Sequence, residues 1–274
     1  METLKAKYFE NIKLYDKIIW ILLFSISLYF IAGMYNDQFM KLMSVADYLT
    51  WHMIFEFASI LVSFSIFTVS YFVYEESKRL SLIVLGCSFL LMGALDTFHT
   101  FSFKGMADFF IANSSANRAT TLWILSRALG SLGFLAAVLI PGSLKSNIKK
   151  GLFLGITIFF AITLFLIVTY LPNLFPPMLI EETGLTTTKI VMEYVIISIM
   201  LYTLAIVLAE YNKTQQVREQ QFIIALIFMI FSEFAFTSYG SVYDAFNYIG
   251  HIFKIVASIV LYKAIYIDNI SEPY

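Results

Sequence analysis

Eight stretches of nearly unbroken apolar residues, separated by short polar connections, divide the chain near 18–35, 50–73, 80–100, 119–140, 151–171, 187–209, 219–240 and 242–266. Each approaches or exceeds the roughly 20 residues an α-helix needs to cross a hydrocarbon layer. Pro141, Pro172, Pro176, Pro177 and Pro273 all fall outside these stretches, as expected of a residue that breaks a helix interior. The pattern predicts an all-α, polytopic integral membrane bundle of about eight transmembrane helices, with 1–274 as one membrane-embedded domain. The first apolar run is followed by Tyr35-Asn36-Asp37 and not by a small-residue cleavage site, so it reads as a retained span and not a signal peptide.

Composition agrees with this reading. The chain is 59% hydrophobic and only 14% charged, against roughly 25% charged residues in ordinary soluble domains, and its mean hydropathy is +0.79. The expected solvent is the lipid bilayer. Alternate connections differ in Lys and Arg: one side collects twelve, the other only Lys41, Lys104, Arg118 and Lys189. Because cytoplasmic loops carry the excess, both termini are predicted to be cytoplasmic. The single cysteine, Cys87, precludes an intrachain disulfide and a thiolate metal cluster. A formal net charge of −1 gives no electrostatic footprint for nucleic acid. Most Phe and Tyr read as lipid-facing packing, with Trp51 and Trp123 at the outer boundary and Trp20 at the inner one.

Ionisable residues inside spanning helices are costly, so each is a functional candidate. His52 and Glu56 are four apart in the second span, and Asp96 and His99 are three apart in the third; both pairs share a helix face. Asn247, His251 and Lys254 form one stripe in the eighth span. Arg127, Glu193 and Glu233 also belong to the outer halves of their helices. Glu56, Asp96, Glu193, Glu233 and Asp244 face only Arg127 and Lys254 in this layer, a formal excess of three negatives that would take up protons or recruit a cation. Imidazole and carboxylate donors without a thiolate suit zinc, iron, manganese or copper. The candidate ligands are His52, His99 and His251, with Glu56 and Asp96 as ligands or as partners that orient an imidazole. The alternatives are hydrogen-bonded interfacial histidines, an Arg127 that only neutralises a neighbouring carboxylate or clamps an anionic ligand, and a Lys254 that only pairs with Glu233. Haem b held by two of the histidines is a further possibility. Glu181 and Glu182, in the connection 172–186, read as solvated loop residues.

The runs Trp51-His52-Met53-Ile54-Phe55-Glu56 and Gly93-Ala94-Leu95-Asp96-Thr97-Phe98-His99-Thr100, then Leu122-Trp123-Ile124 with Arg127, Glu193-Tyr194, Ser232-Glu233, Tyr239, Tyr243 and Asn247-Tyr248-Ile249-Gly250-His251-Ile252-Phe253-Lys254, follow one another across essentially the whole chain. In this order they resemble the third type of bacterial membrane-associated sensor domain. Gly130 departs from the pattern, standing where a carboxylate is expected three residues after Arg127. The resemblance implies a multi-pass input module of the bacterial inner membrane, attached to or associated with a cytoplasmic output domain such as a histidine kinase or diguanylate cyclase. It adds Tyr243 to Arg127, Glu193, Glu233, Asn247 and Lys254 as candidates for contacting a ligand. It implies a homodimer in the parent protein and no enzymatic activity in this segment. The chain stops at Tyr274, shortly after the last span, and so reads as a truncated or a stand-alone input domain.

Together these features predict a sensory input domain of a signal-transduction protein, with an outward-facing His/carboxylate pocket for a metal or a small extracytoplasmic ligand. The rivals are an intramembrane metal-dependent hydrolase, which would use the same donors to activate water, and a haem or quinone redox sensor.

Overall fold

The computed structural model describes residues 2–42, 44–239 and 244–267. They form eight long helices: α1 Glu2–Leu42, α2 Val45–Ser77, α3 Leu80–Phe101, α4 Ala116–Leu139, α5 Lys150–Tyr170, α6 Thr187–Thr214, α7 Val217–Ser238 and α8 Ala245–Tyr266. All eight are long and apolar enough to cross a membrane. Between α5 and α6 lie a short turn, Pro172–Leu174, and a two-stranded antiparallel hairpin pairing β1 Leu179–Ile180 with β2 Gly184–Leu185. Tyr243, expected at the ligand, lies outside the described residues.

The distribution of side chains is the reverse of a water-soluble protein. Trp20, Phe24, Phe30, Phe72 and Phe159 point outward, while Glu56, Asp96, Arg127, Lys189, Glu193, Glu233 and Lys254 are buried. A bilayer reverses the solvation cost, since the apolar surface meets acyl chains and the charges need internal partners.

α3 packs between α2 and α4, α7 packs on α8, and α6 joins α4 to α7; α2 also contacts α8. Helix α5 lies on α3, and α1 lies on α8 and α7. The N-termini of α2, α4, α6 and α8 share one end of the bundle, here the upper end. There Ser44, Ser115, Thr186 and Asp244 each accept a hydrogen bond from a backbone N–H of the first turn of its helix. Asn36 of α1 accepts another, from Ala245 N at 2.9 Å. These side chains satisfy N–H groups that lipid could not.

Below the upper end the core is aliphatic and aromatic, built from Leu85, Phe89, Phe134, Ile196, Ile223, Leu226 and Leu261. The α3–α4 crossing is close because α4 offers hydrogen atoms where a side chain would collide. A Cβ on Gly130 would lie 2.2 Å from Met92 Sδ, and one on Gly133 2.0 Å from Ser88 Oγ. Small residues permit such approach in membranes, where dispersion replaces the hydrophobic effect. At Gly130, where a carboxylate was expected, any side chain would first have to displace Met92.

Substituting Gly133→Leu should therefore lower stability by about 1–3 kcal/mol through overpacking, whereas Gly155→Leu, whose Cβ meets nothing within 4 Å, should leave the melting temperature in detergent unchanged.

Candidate functional site

The N-terminal halves of α2, α4 and α8 and the C-terminal halves of α3 and α7 bring their polar residues to one buried layer near the upper end. His52 and Glu56 come from α2, Asp96 and His99 from α3, Trp123, Ser126 and Arg127 from α4, Glu233 from α7, and Asn247, His251 and Lys254 from α8. All are buried. The i, i+3 and i, i+4 spacings do what the sequence suggested, turning each set towards the same axis.

The three imidazoles converge. His99 Nε2 lies 3.4 Å from His52 Nε2, and the rings of His52 and His251 are 5.1 Å apart. His99 Nδ1 stands 2.8 Å from Ala119 O. Since a carbonyl can only accept, Nδ1 carries the proton and Nε2 keeps its lone pair towards His52. Ligand atoms of His52, Glu56 and His99 all lie within 4.8 Å of one another. His251 Nδ1 is 3.2 Å from Glu56 Oε1, so it flanks this group through the carboxylate.

Asp96 is spoken for. Arg127 Nη2 sits 2.5 Å from its Oδ2, Lys254 Nζ 3.0 Å from the same oxygen, and Ser126 donates to Oδ1 at 2.6 Å. Lys254 Nζ also meets both oxygens of Glu56, at 3.1 and 2.9 Å. One ammonium thus joins α8 to α2 and α3. It pairs with Glu56 and Asp96, not with Glu233 as the sequence left open. Arg127 finds its partner across the helix gap, so the missing carboxylate at Gly130 costs it nothing.

Trp123 corrects a sequence-based expectation. It is buried, not at a lipid boundary, and its ring carries Lys254 Nζ at 4.6 Å and Arg127 Cζ at 4.8 Å. The same ring packs on His99 and Phe236. Such cation–π contacts help solvate the two cations where water is excluded.

Lys189 is a second correction. Counted from sequence as a loop cation, it is fully buried, 2.6 Å from Glu193, and it donates to Phe236 O at 2.5 Å beneath the Tyr239 ring. The expected three-charge acidic excess therefore shrinks: five carboxylates face three cations, and one of the five, Asp244, caps α8. Glu233 has an oxygen with no hydrogen-bond partner among the described residues. It borders, with Arg127, Ser232 and Lys254, a cavity of about 20 Å³, room for roughly one water.

Two aromatic side chains lie over the histidines. Tyr48 stacks on His52 and donates to Asn247 Oδ1 at 3.0 Å, and Phe103 covers His52 with ring centroids 4.3 Å apart. The connections above are tied together by Glu181, which accepts from Lys104 Nζ at 2.5 Å and from Ala116 N, the start of α4, at 2.9 Å. Glu181 is thus a helix-capping tie and not only a solvated loop residue. The Lys104 hydrogen bond first, then the Ala116 N–H, hold its carboxyl below the usual carboxylate range. Its contribution is present above that range and is lost as pH falls through the lowered value.

With this geometry in view, the family model of the MASE3 membrane-associated sensor domain matches residues 43–273. The chain belongs to this family. No curated protein and no solved structure gave a significant match. The match covers α2 to α8, hence every helix that contributes to the buried layer, and α1 precedes it. The protein is accordingly a multi-pass membrane sensor domain, and signal input is its role. Within the sensor domain, sequence spacing located His52, Glu56, Asp96, His99, Arg127, His251 and Lys254. It missed Tyr48, Ser126 and Lys189 as contributors to the buried layer, and mistook the place of Trp123. Lys189 had a usable signal, since Glu193 follows it at i+4.

Removing one member of the central network should expose the rest. Lys254→Met is expected to destabilise the bundle by about 3–5 kcal/mol, the usual cost of orphaning a buried charge. Adding Glu56→Gln should recover part of that loss, a non-additivity that reversible unfolding in mixed micelles will measure.

Proposed function

We propose that His52, Glu56 and His99 bind a divalent transition-metal ion, or a small ligand through such an ion, and that occupancy is the input this sensor domain transmits. The observation that carries the reading is the 3.4 Å separation of the two Nε2 atoms, with the His99 lone pair fixed by Ala119. Two nitrogens about 2.0–2.1 Å from one tetrahedral ion stand about 3.3–3.4 Å apart. Glu56 supplies a third donor one helical turn below His52, and a fourth position stays open for water or a small ligand. Zinc suits two imidazoles and a carboxylate best; iron, manganese and copper accept the same donors. Asp96 and His251 serve as outer partners that orient Lys254 and Glu56.

The conformational step follows from charge. Without a metal, a proton on His52 Nε2 bridges the two imidazoles, and Lys254 neutralises Glu56. A dication takes over both tasks, so the ammonium loses its reason to hold Glu56 and stays with Asp96. Helix α8 then loses one of its ties to α2. Because α8 ends at the lower end, expected to be cytoplasmic, a change in its tilt or rotation passes directly to an attached output domain, paired in a homodimer. Membership in a family of sensor domains supports this input role over the hydrolase reading.

Purified in the presence of zinc and desalted, the protein should retain about one equivalent by elemental analysis and be colourless. His52→Ala and His99→Ala should each lose most of it, while Lys254→Met should bind zinc more tightly and regain stability when zinc is added. Unchanged metal content in both histidine variants, or a Soret band, would sink the proposal.

A further inference from the structure

A wide cavity lies at the other end of the bundle from the histidines. About 440 Å³ in volume, it sits among the N-termini of α3 and α7 and the C-termini of α4, α6 and α8. Its inner walls are apolar, with Leu85, Phe134, Val138 and Val207 among them, and its rim carries Arg79, Glu210, Arg218 and Glu219. A cavity with an apolar interior and charges only at its mouth, placed where helices end, has the polarity profile of a single amphiphile lying at a membrane surface.

Glu219 narrows the chemistry. It is buried, yet it lines the cavity. One of its oxygens pairs with Arg218, at 2.5 Å. The other, Oε2, has no hydrogen-bond partner among the described residues. A buried carboxylate oxygen left without a donor keeps the full cost of its lost hydration. An occupant that recovers this must bring an N–H or O–H to that point, best a cationic one, and an anionic group beside it would lie near Arg79 and Arg218.

We infer that this cavity is a second, lipid-binding site, and that its occupant is an aminophospholipid. Its primary ammonium donates to Glu219 Oε2, its phosphate lies among Arg79 and Arg218, and part of an acyl chain fills the apolar interior. A choline headgroup has no N–H to give, and a glycerol headgroup has no cation; both are therefore weaker occupants. The site adjoins the last turn of α8 through Ile265. Its occupant thus touches the same helix as the histidine cluster, from the opposite end. The inference stands independently of any metal at His52 and His99.

The test uses the full chain, delipidated in detergent and examined by native mass spectrometry. Four probes are titrated: dihexanoyl-phosphatidylethanolamine, dihexanoyl-phosphatidylcholine, dihexanoyl-phosphatidylglycerol, and phosphoethanolamine without acyl chains. The ethanolamine lipid should be retained about tenfold more strongly than the choline and glycerol lipids, roughly the worth of one charge-assisted hydrogen bond. Glu219→Gln should remove that preference, and Val138→Trp, which fills the interior, should reduce retention of all three lipids by a similar factor. Equal retention of the three lipids by the native chain would overturn the inference. So would an undiminished ethanolamine preference in Glu219→Gln, or phosphoethanolamine binding as tightly as the lipid. If Val138→Trp does not fold, the lipid comparison and Glu219→Gln still decide.

Discussion

One ammonium group, Lys254 Nζ, is shared between the carboxylates of Glu56 and Asp96 in a buried layer. A charge taken out of water is tolerable only with a partner at contact distance. Here two carboxylates on different helices depend on the same cation. Arg127 and Ser126 then complete Asp96, and His251 Nδ1 lies 3.2 Å from Glu56. Positions of α2, α3, α4 and α8 are thereby fixed relative to one another at the level of the histidines. Trp123 lies under both cations and lets them sit side by side.

This network can exist because the rest of the bundle makes room for it. Glycines at 130 and 133 bring α3 and α4 close enough for Arg127 to reach Asp96 across the gap. Capping side chains each satisfy a first-turn N–H at the upper end, and Glu181 clips two connections over the start of α4. Lower down, the core is mainly aliphatic and aromatic, with the Glu219–Arg218 pair near its end. The upper layer therefore holds specific polar pairs whose alternatives are discrete, while the lower half is held by dispersion and can follow a small movement of α8. Such a division suits a device that converts a change of charge into a change of helix position.

Much of the architecture could be read from the sequence because a bilayer imposes a simple rule: long apolar runs span and prolines lie between them. The central residues were legible for the same reason, since a charge in an apolar run stands out. Legibility failed where a residue's role depends on its neighbours in space. Lys189 and Arg118 fall at span edges, where a cation reads as a loop residue; only the fold places both among buried groups. Trp123 sits at a height typical of interfacial tryptophans, yet it faces the bundle axis. The partner choice of Lys254 and the collision at Gly130 both depend on inter-helix distances, which spacing along one helix does not encode.

Lys254 holds α8 to α2 through Glu56, and the proposed metal at the histidines would release this hold. Double electron–electron resonance between spin labels at Glu76 of α2 and Tyr266 of α8, in a chain with Cys87 replaced by serine, measures it directly. Zinc is expected to shift the interspin distance by about 1–2 Å or more relative to chelator, the scale of helix movements in switching proteins. The Lys254→Met chain should show the shifted distance without zinc. An identical distance distribution with chelator and with zinc bound at His52 and His99 would contradict the account.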